Sequence, residues 1–111
     1  MSDGETAYRV IVDIAAGDRM EEHFEFLAKV SKSAAEKLLD GLLKDINSLA
    51  NMPHRNPVYD RPYLPIGKYR YMISCERYRI VYQIEEHMVF VDDIQDCRQS
   101  DNNNLIRAEE T

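Results

Sequence analysis

Between Lys68 and Ile94 the chain reads KYRYMISCERYRIVYQIEEHMVFVDDI, and the side chains change character at almost every residue. Tyr69 and Tyr71 alternate with Arg70 and Met72, then Tyr78, Ile80 and Tyr82 alternate with Arg79 and Val81. A period of two belongs to extended backbone, where successive side chains leave opposite faces. The interruptions around Cys75-Glu76 and Glu86-His87 mark turns, so the stretch predicts a three-stranded antiparallel meander. One of its faces can pack on a core while the other shows guanidinium groups to solvent.

Upstream, Ala7 to Ile14 alternates as a fourth strand, with Tyr8, Val10, Val12 and Ile14 on one side. From about Asp18 the period lengthens: Met20, Phe24, Leu27 and Val30 fall at helical spacing, opposite Glu21, Glu22 and Glu25. Ser33 with Glu36 has the spacing of a capping box. Leu38, Leu39, Leu42, Leu43, Ile46 and Leu49 follow as a wide apolar stripe. Two helices joined by so short a turn must lie antiparallel. Four prolines, Pro53, Pro57, Pro62 and Pro65, then forbid regular structure from Met52 to Gly67. A loop of this length inside a small domain is uncommon unless it has a task.

The element order β-α-α-β-β-β implies an α+β fold, an antiparallel sheet with a two-helix hairpin on one face. At 111 residues the chain makes one domain, expected over 8–98, with a disordered lead-in over 1–7 and a polar tail over 99–111. No apolar run approaches bilayer length and no signal segment opens the chain, so no membrane partner and a cytoplasmic location are expected. Cys75 and Cys97 stand 22 residues apart without metal-ligand spacing, so neither a zinc site nor a disulfide framework is indicated. The net charge of −6 is unevenly spread: residues 1–50 carry −4, residues 54–79 carry +4 and residues 80–111 carry −6. A basic island in an acidic chain is a phosphate-binding surface in outline, with the acidic remainder opposing long-range attraction of a polyanion.

Three segments together resemble the RelE/ParE superfamily of bacterial toxins from toxin–antitoxin modules. They are Tyr78-Arg79-Ile80-Val81-Tyr82-Gln83-Ile84, Gly67-Lys68-Tyr69-Arg70 nine residues before Arg79, and Leu49-Ala50-Asn51-Met52-Pro53 at the end of the helix hairpin. The resemblance covers roughly residues 8–98. It implies a cognate antitoxin as partner, no cofactor, and one of two activities. RelE-like members cut messenger RNA in the ribosomal A site without metal, and ParE-like members inhibit DNA gyrase. A repurposed member that only binds its antitoxin is the third reading.

The resemblance places Arg79 on the arginine that contacts the scissile phosphate and Arg70 on a basic position of the preceding strand. Arg98 is the substitute for a C-terminal basic residue where this chain has Cys97, while Met72 replaces a second basic side chain of the nuclease pattern. Arg79, Arg70 and Arg98 are thus the candidate catalytic residues, and Arg61, Lys68 and Arg77 the candidate RNA contacts. A planar guanidinium grips two phosphate oxygens at once, and two of them aimed at one point would stabilise a pentacoordinate phosphorane. The expectation is a ribosome-dependent endoribonuclease acting on mRNA, with gyrase inhibition as the alternative.

Overall fold

The computed structural model describes residues 7–98. The expected tail over 99–111 and all of the expected lead-in except Ala7 lie outside them. Within 7–98 the order is β1 (Arg9–Val12), α1 (Ile14–Ala28), α2 (Lys32–Ser48), a 3-10 turn at Pro53–Arg55, β2 (Tyr69–Ser74), β3 (Tyr78–Glu85) and β4 (Met88–Asp96). This is the α+β order that the periodicities imply.

The four strands form one sheet in the order β1-β4-β3-β2. β2, β3 and β4 are the antiparallel meander, but β1 runs parallel to β4, with Val10 opposite Val89 and Val12 opposite Val91. The sheet is therefore mixed where a purely antiparallel one was expected. The cause is the route of the chain. α2 ends beside the start of β1, where Tyr8 N–H donates to Ala50 C=O at 2.7 Å, so β2 also begins from that end. β3 returns, and β4 sets out again in the direction of β1.

Both helices cover one face. Ala16 from α1, Leu38, Leu42, Ile46 and Leu49 from α2 and its last turn, and Tyr78, Ile80, Tyr82, Val89, Val91 and Ile94 from the sheet make the buried cluster. Met20 and Leu27 pack against it as expected. Phe24 is only half-buried, and Val30, in the turn after the helix, is 81% exposed. Their place is taken by Ala16 and by His23, whose Nε2 lies 2.7 Å from Ile94 C=O. At the far end α2 meets the β2–β3 turn so closely that a Cβ on Gly41 would stand 2.5 Å from Cys75 Sγ. That turn holds Cys75 and Glu76 at φ of 53° and 70°, a left-handed backbone that non-glycine residues adopt at some cost.

The helix boundaries differ from those the sequence suggests. α1 starts at Ile14 rather than Asp18, because Asp13 caps it by accepting from Ala15 N–H. α2 is capped by Ser31, whose Oγ accepts from Ala34 N–H at 3.1 Å. Ser33 and Glu36 lie within the helix and do not form the capping box. Ser31→Ala is expected to lower stability by about 1 kcal/mol in a urea melt, as loss of a cap does, whereas Ser33→Ala should leave the midpoint unchanged or slightly raised.

Candidate functional site

The register decides which side chains share a face. Arg70, Met72 and Ser74 of β2 stand opposite Tyr82, Ile80 and Tyr78 of β3, and those three tyrosine and isoleucine side chains belong to the helix-covered core. Tyr69, Tyr71 and Ile73 stand opposite Gln83, Val81 and Arg79 on the other face. Arg70 and Arg79 therefore leave the sheet on opposite sides. The expectation that they converge on one phosphate is corrected by this register: nine residues with a turn between them place the two arginines on alternate faces.

Arg70 is occupied at the edge of the core. Its Nη1 donates to Asn56 C=O at 2.6 Å and to His54 C=O at 3.3 Å. Beside it the buried Tyr82 hydroxyl donates to Pro53 C=O at 2.6 Å and accepts from Asn56 Nδ2 at 3.0 Å. Burial pushes the Tyr82 hydroxyl pKa up, with the Asn56 bond opposing. Arg55 is bound in the same way, its guanidinium donating to Asn51 C=O, Met52 C=O and Ser48 Oγ at the end of α2. Both arginines thus donate to carbonyls at the end of α2 and the start of the proline-rich segment, where few carbonyls accept from a continuing helix.

Arg79 faces the other way. Its Nη1 donates to Gln95 Oε1 at 2.9 Å, and its guanidinium carbon lies 5.4 Å from the Tyr59 ring centre and 5.6 Å from that of Tyr71. Tyr59, only 3% exposed, packs edge-on against Tyr71 and bonds the same Gln95. The Arg61 guanidinium lies 4.4 Å from the Tyr59 ring centre. Arg61, Tyr59, Arg79 and Tyr71 thus form a cluster of cations and rings on the face that the helices leave uncovered. Cation–ring contacts at these distances contribute roughly 0.5–1 kcal/mol each, and more where desolvated.

The segment that brings Tyr59 there is not a free loop. Val58 bridges Arg70, with Tyr59 N–H donating to Tyr69 C=O at 2.7 Å and Tyr71 N–H to Pro57 C=O at 3.1 Å. Residues 57–59 thereby cover the outer edge of β2, an edge that would otherwise offer unpaired amides to another chain.

The remaining expected contacts are scattered. Lys68 lies at the β1-start end of the open face, 5.8 Å from the Tyr69 ring centre. Arg77 lies in the β2–β3 turn against the Tyr78 ring, beside a groove lined by Leu27, Leu38 and Cys75. Arg98 is exposed, with its backbone N–H on Asp96 Oδ1. No point of the described residues gathers them.

Carboxylates share the open face as well. A bulge in β4 opposite Val81 and Tyr82 leaves Asp92 as an extra residue beside Asp93. Asp92 accepts from Gln83 Nε2 at 2.6 Å and Asp93 from Gln95 Nε2 at 3.1 Å. Burial raises the Asp92 pKa above the usual carboxylate value; the Gln83 bond pulls it down and the charge of Asp13 adds to the rise. Gln95 was given no role by sequence reasoning. Alternation along β4 was the available signal for Gln95, and the bulge breaks it three residues earlier. Among the described residues no group of three or more His, Cys, Asp or Glu could hold a metal ion, and no helix is long and apolar enough to cross a membrane. Neither Cys75 nor Cys97 is in a disulfide.

A mixed four-stranded sheet backed by a helix hairpin, with a basic and aromatic open face, defines an α+β fold shared with a solved structure described as "Chromosomal ParDE TA system from P. aeruginosa". The likeness has a TM-score of 0.67 at 8% sequence identity and covers 82% of this chain and 97% of that one. Residues 7–100 match the family model described as "ParE toxin of type II toxin-antitoxin system, parDE". The chain belongs to that family. A search of curated proteins gives no match.

Two outcomes follow from the geometry. Arg70→Ala and Arg79→Ala should shift stability additively, within about 0.5 kcal/mol, since Arg70 bonds the His54 and Asn56 carbonyls and Arg79 bonds Gln95 on the opposite face; a larger coupling in a double-mutant cycle would show that the two are linked through a common contact. A carboxyl whose pKa is higher in the folded chain binds its proton more tightly there. Acid therefore favours the fold at Asp92, and this contribution is lost as the pH rises through the raised pKa. Asp92→Asn should accordingly melt higher than the parent at pH 7, and the gain should vanish once the pH falls below the ordinary carboxylate range.

Proposed function

We propose that this toxin-family chain acts by protein contact, as an inhibitor of DNA gyrase held in check by a cognate antitoxin, and not as an RNA-cutting enzyme. The observation that carries the reading is the divergence of Arg70 and Arg79. Cleavage of RNA by its own 2′-hydroxyl requires a base, an acid and converging positive charge at one phosphate. Here one guanidinium is bonded to loop carbonyls beneath the sheet and the other is bonded to Gln95 above it. Asp92 and Asp93 on the same face as Arg79 further oppose a polyanion.

The family match supports the toxin role and the antitoxin as partner. The resemblance to RelE-like nucleases through Tyr78-Arg79-Ile80-Val81-Tyr82 is accounted for by packing, since Tyr78, Ile80 and Tyr82 are core residues and Arg79 binds Tyr59 and Tyr71. Controlled expression without the antitoxin, followed by mapping of messenger RNA ends and of chromosomal breaks, separates the readings. The expected outcome is growth arrest with DNA damage and no ribosome-phased cuts, together with inhibition of plasmid supercoiling by purified gyrase. Ribosome-phased cuts that disappear in Arg79→Ala would overturn the proposal in favour of the nuclease.

A further inference from the structure

We propose that the 60–68 stretch of the proline-rich segment is the element that docks on the toxin's target. Ile66 and Tyr63 would enter an apolar socket there whose rim carries carboxylates. The proposal rests on the contact-inhibitor reading above and names the surface that would carry it.

Ile66 is 92% exposed and Tyr63 67% exposed, although large apolar side chains at a loop tip lose free energy to water in the isolated chain. The backbone that presents them is held in place. Upstream, Tyr59 is buried on the open sheet face by Arg79, Tyr71 and Gln95. Within the tip, Leu64 N–H donates to Arg61 C=O at 3.0 Å and Lys68 N–H to Pro65 C=O at 3.4 Å, and Pro62 and Pro65 fix two more φ angles. Gly67, at φ 74°, supplies the left-handed residue that returns the chain to β2. A tip ordered before binding loses little entropy on docking, and apolar or aromatic anchors on such a tip are what hot spots at interfaces are made of.

Charge selects the partner. Arg61 and Lys68 against the single Asp60 leave this stretch with a net charge of +1, in a chain whose first fifty residues and last thirty-two are acidic. The matching surface is therefore apolar at the centre and acidic at its edge. On this view Arg79 is a positioning residue. It holds Tyr59, and through it the tip, in the shape that docks.

The test uses the full chain, co-purified with its antitoxin and then freed of it. Ile66→Ser and Lys68→Glu both alter exposed side chains, so cooperative melting and antitoxin binding should match the parent. Growth inhibition in cells and inhibition of gyrase in vitro should each fall about tenfold or more. Arg79→Met should weaken inhibition and speed proteolysis after Arg61, and Arg79→Lys should restore part of both. Full potency in Ile66→Ser and Lys68→Glu would overturn the docking surface while leaving the gyrase reading intact. A parent chain that arrests growth without touching gyrase would sink that reading; the loss of arrest in Ile66→Ser would still assign the tip to the actual target. Loss of self-association or of antitoxin binding in Ile66→Ser, with potency kept, would assign the tip to those partners and overturn the proposal.

Discussion

The architecture on both sides of the sheet depends on how the chain leaves α2. At that point a run with four prolines must cross from the end of a helix to the edge of a sheet, and its carbonyls find few backbone amides. The Tyr82 hydroxyl and the Arg70 guanidinium supply the missing donors, to Pro53, His54 and Asn56. A buried carbonyl left without a donor costs about 1–3 kcal/mol, so these bonds fix the start of the segment. Once its start is fixed, Val58 meets Arg70, Tyr59 reaches over the edge of β2, and the open face acquires its aromatic cover.

This use of Arg70 explains why the two arginines of neighbouring strands do not meet at one point. Tyr82 and Arg70 are cross-strand partners on the core side. Arg79, Gln95 and the rings of Tyr59 and Tyr71 form a separate group on the opposite side. The same residues that looked like two halves of one phosphate grip are two independent anchors, one beneath the sheet and one above it, for the same proline-rich segment. Charge that looked available in the sequence is engaged within the chain itself, Arg70 on loop carbonyls and Arg79 on Gln95 and two tyrosine rings.

The meander and the helix hairpin were legible because their signals are local. A period of two from Tyr69 to Tyr82 and a leucine stripe from Leu38 to Leu49 survive without knowledge of their neighbours. The parallel pairing of β1 with β4 was not legible, since it depends on where α2 ends in space and not on the composition of β1. The helix starts were missed because Asp13 and Ser31 cap from positions that the pattern assigned to a strand and to a preceding turn. For the site the failure was one of parity. Alternation shows that Arg70 and Arg79 each face away from their immediate neighbours, but which residue of β2 stands opposite which of β3 is set by the length of the turn at Cys75 and Glu76. Ser74 opposite Tyr78 puts three residues in that turn; a turn one residue shorter would reverse the pairing and bring both arginines to one face.

That dependence on a single turn also bears on why the turn keeps its strain. Cys75 and Glu76 hold positive φ angles that glycine would adopt without cost. Glycine at 75 would remove the thiol that lies against Gly41 of α2, where the helix and turn approach within contact distance. Ser74, next to it, is buried and donates to Asp45 Oδ2 at 2.6 Å, tying the same turn to the same helix. The connection is thus set from outside as much as from its own residues. Helix α2 fixes the turn, the turn fixes the register, and the register fixes which face each arginine serves.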